Sequence, residues 1–240
     1  MAILFEELDY RKTAIGELAL RRRSSPALPG ETVYEVTIDG EMLMSSTVDA
    51  SERALARLAL TGRDDRPLDV LVGGLGLGGT AAAALEYPNV RTLAVVELLA
   101  PVIAWHRQRL VPLAGTLIDD PRCVLIEGDF FEHVAQESSR RLYDAILLDI
   151  DHAPDCLLQP RHSEFYGPEG LHALAECLRP GGVFALWSAW TPPAAFLDAL
   201  GTVFRAVQNR EVTFYNPHIH EDDSNWIVLA EESRLELEPS

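Results

Sequence analysis

The chain has 240 residues, 48% of them hydrophobic, which is enough for one large domain or one domain with a small appendage. Its formal net charge of −17 argues against a nucleic-acid partner or an anionic membrane surface, because phosphate-rich surfaces bind clustered Lys and Arg. A charge of this sign attracts cationic small molecules, although its simplest consequence is solubility.

Cysteine usage and the N-terminal residues bear on the compartment. Cys123, Cys156 and Cys177 lack the spacing of metal ligands and are typical of reduced cysteines in a cytoplasmic protein. The N-terminus has no basic leader followed by an apolar stretch, so we expect no signal peptide. No apolar run is long enough to span a bilayer. We therefore predict a cytoplasmic protein without a metal centre.

The first 48 residues predict a small β-domain. Turn signals, of which the hairpin pair Asp39-Gly40 is the strongest, separate four segments with apolar residues at strand-like intervals. The predicted strands are Ala2–Glu7, Ile15–Arg22, Thr32–Ile38 and Glu41–Met44. An amphipathic helix over Asp49–Thr61 follows. We place the domain boundary there, with residues 1–48 as the β-domain and 49–240 as a second, larger domain.

From Leu68 onward strands and helices alternate, which predicts an α/β fold with a mostly parallel sheet covered on both faces. The predicted strands are Asp69–Val72, Thr92–Val96, Cys123–Ile126, Ala145–Leu148 and Val183–Trp187. The predicted helices are Ala100–Leu110, Pro168–Leu178 and Ala194–Phe204. A closing antiparallel pair is predicted over Glu211–Tyr215 and Trp226–Leu229.

A glycine-rich turn follows the first of these strands. Gly74, Gly76 and Gly78 have G-x-G-x-G spacing, which lets the backbone turn tightly and approach a ligand. Glu97 ends the next strand, where such units place a carboxylate against the hydroxyls of a ribose. The order of strand, turn, helix, strand and acid predicts a bound nucleoside rather than a purely structural loop. The alternative for Glu97 is a helix cap or an acceptor of backbone amides.

Further acidic residues follow later strands and are predicted to lie on the same rim, since ligands of open α/β sheets bind outside the carboxyl ends of the strands. Asp129 is a candidate ligand contact or a turn residue, and Asp149 is a candidate active-site residue or a loop aspartate. The sequence leaves open whether Asp151 and His152 contact a ligand or face solvent. Tyr166 has a core alternative. His218 and His220 are interpreted as a solvated hairpin turn rather than metal ligands.

These residues resemble the spermidine synthase family of polyamine aminopropyltransferases over nearly the whole chain. The resemblance is carried by Gly74–Thr80, Val95–Glu97, Gly128-Asp129, Tyr143–Asp149, Glu164–Tyr166 and Leu178–Gly182. It implies a class I methyltransferase-like Rossmann fold behind the small β-domain, a role in polyamine biosynthesis and a homodimer. It also implies transfer of an aminopropyl group from an adenosyl-sulfonium donor to a small-molecule amine, with no metal.

The resemblance implies a role for each rim residue. Glu97 would hold the ribose hydroxyls, Asp129 would accept from the adenine amino group, and Phe130 would lie beside the ring. Asp149 would match the catalytic aspartate, which takes the proton of the attacking amine or holds that amine in register. The remaining candidates are Asp151 and Tyr166 for catalysis, and Gly74, Gly76, Leu77 and Gly78 for donor binding, together with Asp149.

Three departures from the family pattern affect the functional interpretation. Leu77 stands where the family's glycine turn has an aspartate for the amine end of the donor. The Tyr-His-Glu set of the acceptor motif is absent from Ser46–Ala54, and the family's DSSDP is altered to Asp149–Pro154. The donor is therefore either decarboxylated S-adenosylmethionine or S-adenosylmethionine, and the acceptor amine stays open, putrescine included. The alternatives are an S-adenosylmethionine-dependent methyltransferase and a non-catalytic nucleoside-binding homologue.

Overall fold

The structure is a computed structural model that describes residues 5–25, 28–63, 65–138, 140 and 142–237. Within these residues the strands form a four-stranded sheet in the order β1-β2-β3-β4 and a seven-stranded sheet in the order β10-β11-β9-β8-β5-β6-β7. The predicted α/β fold with a mostly parallel sheet and an N-terminal β region is confirmed.

The N-terminal sheet is antiparallel throughout and consists of β1 (Phe5–Thr13), β2 (Gly16–Ser25), β3 (Leu28–Ile38) and β4 (Glu41–Ser45). The Asp39-Gly40 turn has positive φ at both residues, 50° and 84°, as a tight hairpin requires.

The prediction for β1 was wrong in extent. The strand continues to Thr13, beyond the predicted end at Glu7, while residues 1–4 lie outside the described part of the chain. The sequence pattern missed this extension because β1 is largely polar. Charged pairs such as Arg21–Glu7, at 3.2 Å, join it to β2 in place of apolar contacts.

The large sheet contains β5 (Leu68–Gly73), β6 (Val90–Glu97), β7 (Cys123–Glu127), β8 (Tyr143–Leu148), β9 (Leu178–Ser188), β10 (Phe204–Asn216) and β11 (Glu221–Ser233). The strands from β5 to β9 pair in parallel, whereas β11 pairs antiparallel with both β9 and β10. The predicted closing pair is confirmed, although each strand is longer than predicted.

The α-helices in the described part of the chain are α1 (Ala50–Leu60), α2 (Gly79–Leu85), α3 (Ala100–Arg107), α4 (Ala114–Ile118), α5 (Phe130–Glu137), α6 (Pro168–Cys177) and α7 (Ala194–Val203). The short helices α4 and α5 had no predicted counterpart. None of the described helices is long and apolar enough to cross a membrane.

One apolar cluster joins the two sheets. Leu18 and Val36 of the N-terminal sheet pack in the same buried cluster as Leu55 of α1 and Val70 of β5. The division of the chain at residue 48 therefore separates two patterns of elements that share a core, and it remains a prediction as a domain boundary. Within this core α1 packs against α2 and against β8, β9, β10 and β11.

Candidate active site

A cavity of about 310 Å³ opens at the carboxyl ends of the parallel strands. Its wall contains Gly74 after β5, Glu97 at the end of β6, Asp129 after β7 and Asp149 after β8. Met44 and other residues of the N-terminal sheet close one side. The rim predicted from the sequence is therefore present as a continuous concave surface.

The glycine turn adopts a left-handed backbone that favours glycine. Gly74, Gly76 and Gly78 have φ values of 92°, 50° and 96°. Gly74 and Gly76 line the cavity, as does Leu77 between them and α2. Gly78 is absent from the wall, since a side chain there would point at Leu117 and His106. Gly78 therefore contributes to the conformation of the turn and not to the cavity wall.

Glu97 holds the glycine turn to the end of β6. Its Oε2 accepts a hydrogen bond of 2.9 Å from the Leu75 amide, and its Oε1 accepts one of 2.8 Å from the Leu99 amide. Burial raises the pKa of Glu97, while the backbone amides oppose this shift. The carboxylate accepts backbone amides, as the structural alternative anticipated, and it also lines the cavity.

His106 supports the turn from below, a role that the sequence pattern did not reveal. Its Nε2 donates to the Gly76 carbonyl at 2.9 Å, and the ring is fully buried. Burial lowers the pKa of His106, which favours the neutral ring. Its Nδ1 has no hydrogen-bond partner among the described residues. The available sequence signal was a histidine that follows Trp105 among the apolar residues of this helix.

Asp129 and Phe130 lie together at the start of α5. Asp129 Oδ1 accepts from the Phe131 amide at 2.8 Å, and its Oδ2 is paired with Arg161 at 2.7 Å. Phe130 packs under β5, where a Cβ on Gly73 would lie 2.6 Å from its ring. Both residues line the cavity, and Asp129 also acts as the N-cap of α5.

Asp149 lines the cavity. The Thr80 hydroxyl donates to its Oδ2 at 2.8 Å, and its amide donates to the Gly73 carbonyl at 2.8 Å. Desolvation raises the pKa of Asp149 to about 6, and the Thr80 hydrogen bond opposes the shift. Such a value lies near neutral pH, as suits a group that exchanges protons in a reaction.

Asp151 and Tyr166 have different surroundings from Asp149. Asp151 is buried and accepts from the Leu158 amide at 2.7 Å, from His162 Nδ1 at 2.9 Å and from the Tyr166 hydroxyl at 2.9 Å. Asp151 contributes to the cavity wall, but Tyr166 does not. Burial and the Asp151 charge raise the pKa of Tyr166 well above its usual range. This geometry favours positioning of the loop over direct contact of Tyr166 with a substrate.

The remaining histidines divide between the cavity and the surface. His152 lines the cavity beside Asp151. His218 and His220 are exposed at the hairpin between β10 and β11, in agreement with their interpretation as a solvated turn.

Glu52 is a functional candidate that the sequence interpretation missed. It lies in the first turn of α1, lines the cavity, and accepts from the Ser51 hydroxyl at 2.9 Å. Desolvation, followed by the charge of Asp149, raises the pKa of Glu52 to about 7. It shares the apolar face of α1 with Leu55, Ala56 and Ala59. An acid at i, with apolar residues at i+3, i+4 and i+7, was the sequence signal that could have identified it.

The cavity wall is largely apolar, and acidic side chains stand out among its polar residues. Its wall includes six carboxylate side chains, and no Lys or Arg belongs to it in the described part of the chain. These carboxylates are Asp49, Glu52, Glu97, Asp129, Asp149 and Asp151. An acidic concave surface raises the local concentration of cations.

Comparison with known proteins identifies the family. The model of the spermine/spermidine synthase domain matches residues 49–216. The chain belongs to the spermine/spermidine synthase family. The family predicted from the sequence is thereby confirmed.

Curated relatives cover part of the chain. Polyamine aminopropyltransferase 2 of Pseudomonas aeruginosa is 33% identical over 159 residues, covering 62% of this chain and 43% of that protein. Polyamine aminopropyltransferase of Bacillus mycoides is 30% identical over 144 residues, covering 59% and 48%. Putrescine N-methyltransferase 2 of Nicotiana attenuata is 33% identical over 121 residues, covering 49% and 30%. In these matches the chain spans less than half the length of its curated relatives.

The spermine/spermidine synthase fold extends across most of the molecule. The crystal structure of spermidine synthase from Thermotoga maritima superposes with a TM-score of 0.73 at 18% identity, covering 94% of this chain and 72% of that chain. A spermidine synthase bound to the transition-state analogue AdoDATO gives a TM-score of 0.71 at the same identity and coverage. At this identity the superposition demonstrates the shared fold.

Proposed function

We propose that this protein is a transferase that moves an aminopropyl group from decarboxylated S-adenosylmethionine to an amine. One observation carries the proposal, namely the order of the cavity residues along the sheet. Asp129, Glu97, the glycine turn and Asp149 follow four adjacent strands in the order β7-β6-β5-β8. Strands are about 5 Å apart, so the row matches an extended adenosyl donor, with adenine, ribose, sulfonium and tail in sequence.

The charge of the cavity supports the decarboxylated donor. S-adenosylmethionine carries a carboxylate on its tail, which would meet an acidic wall without a Lys or Arg from the described residues. Decarboxylated S-adenosylmethionine has a sulfonium and an ammonium, and both are cations. Leu77 offers the propyl chain an apolar contact beside the glycine turn.

The proposed chemistry is a direct displacement. The lone pair of a neutral primary amine attacks the carbon next to the sulfonium, and the carbon–sulfur bond breaks with its electron pair on sulfur. The products are methylthioadenosine and an alkylated ammonium, which gives up one proton. To Asp149, whose pKa is raised to about 6, we assign the role of holding the amine and accepting that proton. Since the sulfonium is already a leaving group, positioning supplies most of the rate.

The acceptor would lie beyond the donor tail, on the side of β8 and β9. His152 and Trp187 line this part of the cavity together with Asp149. The class of acceptor that fits an acidic wall with aromatic neighbours is a small primary amine that carries a second positive charge.

The test is an end-point assay with two donors. The protein is incubated with decarboxylated S-adenosylmethionine or S-adenosylmethionine and a panel of diamines and polyamines, and products are measured by mass spectrometry. We expect methylthioadenosine and an aminopropylated amine, which Asp149→Asn lowers strongly. Formation of S-adenosylhomocysteine with a methylated amine would replace the proposal by methyl transfer.

Methyl transfer is the second candidate, and two observations favour it. Leu77 adds no negative charge to the glycine turn, so it does not repel the carboxylate of S-adenosylmethionine. One relative is named putrescine N-methyltransferase. Binding of a donor with no turnover across the whole panel would instead favour the non-catalytic nucleoside-binding homologue.

The same proposal places the protein in the cytoplasm as a homodimer. The three cysteines are free, which is compatible with a reducing compartment. β1 and β7 are edge strands, and each carries an exposed apolar side chain, Phe5 and Val124. Sedimentation equilibrium that gives the monomer mass at micromolar concentration would contradict the dimer and leave the proposed reaction intact.

A further inference from the structure

We propose that Glu52 forms, with Asp149, a two-carboxylate clamp for the ammonium group of the donor's tail. Glu52 would thereby select the decarboxylated donor. This assignment rests on the proposed function and deepens it, because it identifies the residue that sets donor specificity. The assignment gives a residue of α1, which lies outside the glycine turn, a direct role in selecting the donor.

Glu52 and Asp149 approach the same threonine from two elements. Thr80 Oγ1 lies 2.8 Å from Asp149 Oδ2 and 3.3 Å from the Glu52 carbonyl oxygen. The Glu52 Cβ would lie 3.3 Å from a Cβ built on Gly79, so α1 presses Glu52 against the start of α2. Both side chains line the cavity. The two carboxylates therefore belong to one wall.

The neighbouring arginine does not neutralise this pair. Arg53 does not belong to the cavity wall; it is ion-paired with Glu86 and lies 3.9 Å from Asp49, another carboxylate of that wall. The hydrogen bonds that reach the two carboxyl groups among the described residues come from neutral hydroxyls, Ser51 to Glu52 and Thr80 to Asp149. Desolvation and mutual repulsion raise the pKa of Glu52 to about 7. Two partly desolvated carboxylates without a protein cation have a strong electrostatic preference for a cationic ligand.

The position of the pair fits the tail rather than the nucleoside. Asp149 follows β8, and Glu97 follows β6, with β5 between them. Two strand spacings separate these ends by about 10 Å. Leu77 is apolar, so the glycine turn itself supplies no carboxylate at this end. Glu52 supplies the second negative charge from α1 instead.

Donor affinities test the assignment, measured by calorimetry on the full chain. The ligands are decarboxylated S-adenosylmethionine, S-adenosylmethionine and methylthioadenosine, which lacks the charged tail. For Glu52→Gln we expect the affinity for the decarboxylated donor to fall about tenfold or more, as loss of a hydrogen bond to a charged group implies. The affinity for S-adenosylmethionine should fall less or rise, and that for methylthioadenosine should stay unchanged.

Matched variants separate charge from structure. Glu52→Asp keeps the charge and should retain part of the donor preference. Glu211→Gln makes the same exchange at an exposed carboxylate outside the cavity and should leave all three affinities unchanged. If Glu52→Gln fails to fold, as judged by its thermal transition, the assignment is decided on Glu52→Asp, whose shortened side chain should reduce the donor preference.

The outcomes distinguish this assignment from the proposed function. If the wild-type protein binds the decarboxylated donor preferentially and Glu52→Gln preserves that preference, the role of Glu52 is wrong and the proposed reaction stands. An equal loss of methylthioadenosine affinity would also overturn it, since a tail residue has no contact with that ligand. If the wild-type protein binds neither donor, the proposed function itself fails.

Discussion

The carbonyl oxygen of Asp149 occupies the space that a side chain on Gly74 would need. A Cβ built on Gly74 would lie 2.0 Å from that oxygen, far inside van der Waals contact. The Gly74 amide is bonded to the Val96 carbonyl at 2.9 Å, and the Asp149 amide to the Gly73 carbonyl at 2.8 Å. The ends of β5, β6 and β8 are therefore locked together, and this contact sets the position of the Asp149 carboxyl group.

The first prediction is that Gly74→Ala destabilises the fold and displaces Asp149. The clash with the Asp149 carbonyl, added to a φ of 92°, should lower the free energy of unfolding by about 3 kcal/mol. Urea titration measures this loss. Gly62→Ala is the matched control, because its φ is 81° and a Cβ there meets nothing within 4 Å. That variant should lose only about 1 kcal/mol. Equal losses of unfolding free energy in the two variants would show that the clash with the Asp149 carbonyl has no effect on stability.

The large sheet and the glycine turn could be predicted from the sequence, for a physical reason. Strands of a parallel sheet are buried on both faces and appear as continuous apolar runs, as Leu68–Gly73 does. Three closely spaced glycines after such a strand indicate a turn with positive φ. The polar strand β1 could not be delimited in this way, since its ion pairs with β2 follow no hydrophobic period.

The candidate site was predictable in location but not in detail. The position of the acidic residues at the carboxyl ends of the strands could be predicted from the order of strands and helices. Their hydrogen-bond and ion-pair partners could not, because these lie far along the chain. Asp129 is paired with Arg161, and Asp151 with His162, and neither contact has a local sequence signal. Glu52 was missed because the family motif specifies a complete Tyr-His-Glu set, which this chain lacks. The proposed role needs only a carboxylate on the face of α1 that lines the cavity.

The second prediction concerns Tyr166 and distinguishes positioning from catalysis. Tyr166→Phe removes a 2.9 Å hydrogen bond to the buried Asp151 carboxylate, which should cost about 2 kcal/mol of unfolding free energy. Because Tyr166 is not in the cavity wall, donor affinity and kcat should change by less than about threefold, roughly within 1 kcal/mol. Thermal unfolding and steady-state kinetics measure the two effects. A fall of kcat by orders of magnitude at unchanged stability would support the catalytic role predicted from the sequence.

The third prediction concerns Asp144, a buried carboxylate outside the cavity that accepts several hydrogen bonds. It is 1% exposed, accepts from the Asp69 amide at 2.8 Å and from Arg179 at 2.7 Å, and is also paired with Arg66. Asp144→Asn removes a buried charge from two arginines and should destabilise the fold by about 3 kcal/mol, as measured by urea titration.

The controls for Asp144 test whether its effect is confined to stability. Arg66→Ala removes a partner that is 39% exposed and should cost less than about 1 kcal/mol. Donor affinity of folded Asp144→Asn should equal that of the wild type, since the residue does not line the cavity. A selective loss of donor affinity would contradict a purely structural role.

The fourth prediction is a pH dependence of stability that originates in Glu52 and Asp149. In the folded protein their pKa values rise from 4.5 to about 7 and from 3.8 to about 6. A raised folded-state pKa means that the native state binds protons more tightly than the unfolded state. The contribution of this pair is therefore fully present near pH 4 and is lost as the pH rises through about 7. We expect Glu52→Gln to remove the Glu52 share of this loss and to leave the share that desolvation of Asp149 causes.

The measurement is the difference in Tm between Glu52→Gln and the wild type, taken by calorimetry from pH 5 to pH 8 without ligand. Taking the difference cancels the pH dependence that other acids contribute, including acids whose pKa is lowered. Asp69 is one of these, because Arg91 and its other partners lower its pKa to about 2. The difference should increase in favour of Glu52→Gln as the pH rises, because the variant neither desolvates a carboxylate at this position nor places a charge opposite Asp149. Glu211→Gln should show no such trend. Saturation with a cationic donor should flatten the wild-type curve, since the ammonium neutralises the pair. A difference that stays constant across this range would show that the pKa of Glu52 is not raised in the folded protein.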